Sequence, residues 1–345
     1  MGARPEGDAV LTHRAAPPTV IRLGPRPRRI LFWVVLVFLA GLLLELSLRL
    51  LLARWLEPPF GNARLGYAHD RELGWFPIPG DRRQVVASRP FAVEHNRMGF
   101  RDVDHRPKAG PRILFLGDSF VWGFDVEQAE RFTERLRELA PAWEVVNAGV
   151  SGYGTDQELL LLQRVHDTFR PDVVFLVYCN NDSGDSSTNL RYGGYKPYFV
   201  AGEGGLERRG VPVPVSLSYR HAQHPLLFRS YAVRAAALVA QASFGDGIVQ
   251  VRDPTDAIIG EMHRWVKARG SRFAVGLVSD NADLRRTCKR RRISFVDLDG
   301  AERYPEHAAH WTPEGHRMVA ARILRFVRDT DLLPPPSSAA GGAGG

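Results

Sequence analysis

Hydrophobic positions in this chain fall into three regimes. Ile30 to Leu44 is an uninterrupted apolar run, and apolar character continues to Leu52. As a helix, residues 30–52 would rise about 35 Å, enough to cross the hydrocarbon core of a bilayer. Glu45 and Arg49 interrupt the run four residues apart, so they share a helix face and can pair. Both lie near one end, where charged heads reach the interface, and Trp33 and Trp55 suit interfacial positions. From 53 to 110 the chain mixes Pro and Gly with short apolar pieces such as Leu73-Gly-Trp-Phe-Pro-Ile-Pro79, and reads as an irregular or β-rich lead-in. From Arg112 onward strands and helices alternate. Strands are expected at Ile113–Leu116, Glu144–Asn147, Val173–Tyr178, Phe273–Val278 and Ser294–Leu298. Helices are expected at Val126–Leu139, Thr155–Phe169, Thr255–Ala268 and Pro313–Arg328. The run Val173-Val-Phe-Leu-Val-Tyr178 has the continuous apolar character of a strand buried on both faces. Such alternation implies a parallel sheet with right-handed crossovers. Thr312, Pro313 and Glu314 form a strong start signal for the last helix, with Ile323, Leu324 and Val327 on its inner face.

The alternation breaks between about 183 and 225, a stretch rich in Gly, Ser, Tyr and Pro that leaves the C-terminal end of the third strand. It reads either as a lid or as a floppy insertion. Residues 1–29 and 331–345 have the composition of disordered tails. The formal charge is +8, and residues 1–54 account for +5 of it through eight Arg. The charge is therefore a topology signal more than a nucleic-acid footprint. Arg22, Arg26, Arg28 and Arg29 precede the apolar run, which places the N-terminus in the cytoplasm and the rest outside. The run is long for a cleaved signal peptide and no small-x-small site follows it, so an uncleaved signal anchor is expected. Cys179 and Cys288 are too few for a disulfide framework and read as unpaired thiols.

The chemistry concentrates at two places. Arg112-Ile-Leu-Phe-Leu-Gly-Asp-Ser-Phe120 is a buried strand ending in Gly117-Asp118-Ser119, and a serine at that strand end sits where α/β folds place reactive groups. His310-Trp-Thr-Pro-Glu-Gly-His316 is a second polar cluster opening a helix. A Ser and a His brought together by a parallel sheet suggest nucleophilic catalysis. Asp118, adjacent to the serine, reads as a brace for the turn. Val121 stands where the α/β-hydrolase elbow has Gly. His307, His310 and His316 lack metal-ligand spacing, and His316 reads as a helix residue packing near the site.

Gly117-Asp118-Ser119-Phe120 resembles the first block of the SGNH/GDSL hydrolase family. Asn147-Ala-Gly-Val-Ser-Gly152-Tyr-Gly resembles its glycine block, Asn180-Asn181-Asp182 its asparagine block, and His310 followed by Gly315 its histidine block. Asn96-Arg-Met-Gly-Phe-Arg-Asp102 resembles the lead-in of membrane-anchored members, although simple packing against the core is the preferred reading. The resemblance implies a three-layer α/β/α sandwich on a five-stranded parallel, flavodoxin-like sheet over 111–330. It implies a serine esterase or acyl hydrolase with Ser119 as nucleophile and His310 as base. The implied oxyanion hole is the Ser119 and Gly152 N–H groups and the Asn181 side chain, with no cofactor. Two positions depart from the pattern: Cys179 replaces a Gly, and His307 stands where the family carries its Asp, three residues before the histidine. A Ser–His dyad, Glu306 as the acid, and a weakened site all stay open, with Asp297 and Asp299 also nearby after the last strand. The expected substrate is an ester of an envelope lipid or acylated carbohydrate. The alternatives are a carbohydrate O-acyltransferase and a non-catalytic envelope binding protein of the same fold.

Overall fold

The computed structural model describes residues 25–56, 62–244, 247–305 and 310–333. Of the expected disordered tails at 1–29 and 331–345, residues 1–24 and 334–345 lie outside the described residues, as do the candidate acid Glu306 and His307, whereas residues 25–29 are helical. The chain divides into two units, Met1–Ala53 and Arg54–Gly345.

The first unit is carried by helix α1 (Pro25–Leu56), whose apolar residues from Ile30 to Leu52 are not buried. It is long and apolar enough to cross a membrane. The expected Glu45–Arg49 pair forms, at 3.3 Å.

The second unit is built on five parallel strands: β1 (Arg112–Gly117), β2 (Glu144–Asn147), β3 (Val173–Tyr178), β4 (Arg272–Leu277) and β5 (Ser294–Asp297). Their order in the sheet is β5-β4-β3-β1-β2, the doubly wound arrangement of flavodoxin-like folds. Successive residues of a strand point to opposite faces, and the core divides accordingly. Leu114, Leu116, Val174, Leu176 and Val275 pack with helices α4 (Thr155–Phe169) and α8 (Thr255–Ala268). Ile113, Phe115, Val173, Phe175 and Val177 pack with α3 (Phe132–Leu139) and α10 (Pro313–Asp329). Strands β1 and β3, and β4 beyond Arg272, are buried throughout, which is why their sequences show no polar alternation. Register then sets the site: Gly117 pairs with Val177 and Phe115 with Asn147. The loops leaving β1, β2 and β3 therefore emerge side by side at one edge.

Three elements differ from the sequence expectation. The helix expected from Val126 begins only at Phe132. The intervening residues are held by the lead-in instead, through Glu127 accepting from Ala92 N (3.1 Å) and Glu130 pairing with Arg89 (3.1 Å). Helix α9 (Ala282–Arg291) was hidden by its charge. Asn281 caps it by accepting from Leu284 N (2.9 Å), and only Leu284, Thr287 and Cys288 are buried. The insertion is structured and longer than expected. It contains α5 (Asn181–Ser186), two short hairpins at 190–195 and 198–209, α6 (Leu217–Gln223) and α7 (Tyr231–Phe244). Cys179 and Cys288 are free and buried.

Candidate active site

Ser119 is the first residue of α2 (Ser119–Trp122), a single helical turn directly after β1. Asp118 caps that turn, its Oδ1 accepting from Phe120 N at 2.9 Å, so it braces the serine as the sequence suggested. The turn ends at Gly123, at φ +85°. A side chain there would be strained and its Cβ would lie 2.4 Å from Arg131 Cδ. The chain reverses through Phe124 to Asp125, itself left-handed at φ +68°, a conformation that Asp tolerates better than most residues.

His310 arrives from the opposite end of the sequence. Its backbone carbonyl accepts from Tyr304 N (2.9 Å), and Thr312 caps α10 by accepting from Gly315 N (3.0 Å). Trp311 is fully buried against Phe120 and Phe132. The imidazole is packed between Phe120 and Phe124, with ring centroids at 5.1 and 4.8 Å. His310 Nε2 lies 2.8 Å from Ser119 Oγ, across 191 residues of sequence.

The other ring nitrogen faces a carboxylate that the sequence did not single out. His310 Nδ1 is 3.5 Å from Asp125 Oδ2, longer than a hydrogen bond, and it makes no hydrogen bond among the described residues. The Asp125 side chain is fully buried and accepts from Ser88 N (2.8 Å) and Ser88 Oγ (3.2 Å). Burial alone would push this carboxyl up, but the nearby His310 imidazole and the two donations from Ser88 outweigh it and hold the group below the usual carboxylate range.

Of the oxyanion-hole candidates, Ser119 and Asn181 line one cavity together with Ser151, the residue before Gly152. Gly152 takes φ +86°. Neither its N–H nor that of Ser119 donates to the protein among the described residues. Gly149 allows this loop to close on α2, since a Cβ there would be 2.5 Å from Trp122 N. Asn181, at the start of α5, points Nδ2 at Asp185 (3.0 Å) and Asp118 (3.3 Å). Both its N–H bonds are thus occupied, so donation to an oxyanion requires the longer contact to Asp118 to yield. Cys179, in place of the glycine, lines the same cavity, and burial pushes its thiol well up, leaving it unreactive. His316 lies apart: Phe132 N donates to its Nδ1 (3.1 Å), and burial pushes its pKa down to about 3.

Ser119, Asn181 and His310 open on a cavity of about 500 Å³. Leu65, Phe120, Phe124 and Ala87 make much of its lining apolar, and Arg64, Arg191 and Arg303 add guanidinium groups. Arg191 is held by Asp185 (2.6 Å) and Arg303 by Ser279 Oγ (3.1 Å).

The lead-in is therefore part of the site. It supplies Arg64, Leu65 and Ala87 to the wall and Ser88 to Asp125. Arg101, 1% exposed, donates to the carbonyls of Trp122 (3.3 Å), Gly123, Val126 (2.7 Å) and Ala92 (2.7 Å). It brackets Asp125 from both sides in sequence. Burial lowers its pKa to about 9, which leaves it charged at neutral pH. Tyr67 Oη accepts from Ser151 N (3.1 Å), holding the glycine loop. The 96–102 motif thus does more than fill space. The signal available in the sequence was the Gly123-Phe-Asp125 turn so soon after the serine.

No curated protein sequence matches the chain. Among solved structures it is similar to a putative lipolytic protein of the G-D-S-L family from Desulfitobacterium hafniense (TM-score 0.36, 11% identity, covering 62% of this chain and 98% of that one). It is also similar to a psychrotrophic esterase from Pseudoalteromonas sp. (0.37, 9%, 64% and 97%). A third is a GDSL-like lipase from Bacteroides thetaiotaomicron (0.35, 14%, 64% and 88%). The family model of GDSL-like lipases and acylhydrolases matches residues 115–318. That stretch is more than half of the chain and contains all four sequence blocks, so the chain belongs to the GDSL-like lipase/acylhydrolase family.

Proposed function

We propose that this acyl hydrolase cleaves esters through an acyl-Ser119 intermediate, with His310 as the general base and Asp125 as the carboxylate that orients it. The observation that carries the reading is the 2.8 Å contact between Ser119 Oγ and His310 Nε2, since a serine hydroxyl is a poor nucleophile without a base in reach. Ser119 Oγ attacks the ester carbonyl as its proton passes to His310 Nε2. The imidazolium returns that proton to the departing alkoxide, and water, activated the same way, releases the acid. The developing oxyanion is met by the Ser119 and Gly152 N–H groups and by Asn181 Nδ2. A buried carboxylate at Nδ1 favours the tautomer that leaves Nε2 free to accept a proton. Asp125 takes the place the family gives to the residue at 307, which weakens the case for a non-catalytic binding protein.

The reading extends to a single-pass anchor formed by α1, with a cytoplasmic N-terminus and the catalytic unit outside. Its substrate class is an envelope lipid or acylated carbohydrate. The largely apolar cavity with three arginines favours an acyl ester that carries an anionic group. The test is fluorophosphonate labelling of the full-length chain in detergent. We expect labelling of the wild type, none of Ser119→Ala, and strongly slowed labelling of His310→Ala. A folded wild type that takes no label would sink the catalytic reading.

A further inference from the structure

Helix α7 (Tyr231–Phe244) is made largely of Ala, Val and Leu with one charge, Arg234, yet none of its described side chains is buried. Tyr231 to Ala235 and Ala237 are half-buried, while Ala236, Leu238, Val239 and Ala240 are exposed, and an apolar face left in water presents itself to another phase or partner. The flanking chain extends the patch: Leu226 is 75% exposed, Leu227 57%, Val239 64% and Ile248 72%. Elsewhere in the unit Arg54–Gly345 exposed large hydrophobics are mostly scattered, such as Val86 and Leu139, and single ones need no explanation. Charge narrows the occupant. Residues 208–245 contain no Asp or Glu but five Arg, namely Arg208, Arg209, Arg220, Arg229 and Arg234. Glu207 pairs with Arg209 and Asp246 follows the run in sequence, but the arginines outnumber these acids, so a symmetric contact between two copies would set a net basic segment against itself. Aliphatic side chains among guanidiniums suit a bilayer carrying anionic headgroups, where the apolar groups sink to the acyl boundary and the arginines meet phosphate.

We propose that the described residues Leu226–Ser243, together with Ile248, lie on the surface of an anionic phospholipid bilayer. The same insertion supplies Arg191 and Tyr192 to the cavity lining, so docking it on lipid would bring a substrate-lining element to the membrane. The proposal stands whether or not Ser119 is catalytic.

Site-directed spin labelling of the full-length chain in nanodiscs tests it, with Leu227→Cys, Val239→Cys and Ile248→Cys each compared with Val86→Cys, which is 70% exposed on a lead-in hairpin. The native thiols are buried. In discs containing phosphatidylglycerol we expect the three positions to report a depth of about 5–10 Å, with access to a water-soluble nickel relaxer about fivefold below that of Val86. In phosphatidylcholine discs, or at high salt, that protection should shrink. Water-like accessibility at all three positions in anionic discs would overturn the proposal. So would spin–spin broadening between copies, which would assign the patch to a dimer.

Discussion

At the scale of single residues the site turns on Asp125. Asp125→Asn should leave KM nearly unchanged and lower kcat by about 10²–10⁴-fold, because an amide can stabilise the wrong imidazole tautomer. Steady-state hydrolysis of a p-nitrophenyl ester reads this directly, and a variant within twofold of wild type would return the role to the segment containing Glu306. Ser88→Ala removes one of two donors to Asp125 while keeping the backbone one, so its effect should be milder. A second residue gives a pH prediction. Glu158 is fully buried and neither carboxylate oxygen has a hydrogen bond among the described residues. Burial first, then repulsion from Asp118, Asp156 and Asp185, raises its pKa well above the ordinary value. Below the unfolded pKa, about 4.3, Glu158 is protonated folded or unfolded and has no effect. As pH rises past that value the unfolded chain ionises, folding must take the proton back, and stability falls until the raised folded pKa is reached. Glu158→Gln should therefore flatten the decline, with urea midpoints that match wild type near pH 4 and exceed it at pH 8. A midpoint difference that does not change with pH would contradict this.

At the scale of elements, one helical turn and one irregular segment control the geometry. Helix α2 stops after four residues, which returns the chain to His310 with Asp125 in place. The lead-in holds that return through Arg101. Arg101→Met should strand the carbonyls of Trp122, Gly123 and Val126 without donors, a loss of several kcal/mol in the range of broken buried networks. Activity in the surviving folded fraction should fall with it. Differential scanning fluorimetry with an activity assay separates the two effects. Thr312→Ala deletes the cap of α10 and should cost about 1 kcal/mol, with a modest loss of activity because His310 lies two residues before the cap.

At the scale of the whole molecule, α1 is long and apolar enough to cross a membrane. If it spans a bilayer, the chain should stay in the membrane pellet through an alkaline carbonate wash and be released only by detergent. Release by carbonate would show that the helix only rests on the surface or has been removed. Anchoring would also raise the effective concentration of the catalytic unit at lipid, which suits a substrate drawn from the envelope.

The local pattern was enough for the parallel sheet, the apolar helix, and the expected positions of Ser119, Gly152, Asn181 and His310. Each of these is written in contiguous residues: continuous apolar strands, a cap before a helix, a glycine or serine at a strand end. The proposed orienting carboxylate was not written that way. Asp125 stands next to a stretch whose pattern reads as helix, and it reaches His310 only because α2 ends at a left-handed glycine and Arg101 and Ser88 capture the return. Those contacts join residues that are unrelated in sequence, so no local period records them. The acid-free basic run 208–245 within the insertion was visible in the sequence as composition. That none of the described side chains of its apolar helix is buried was decided only by the tertiary packing.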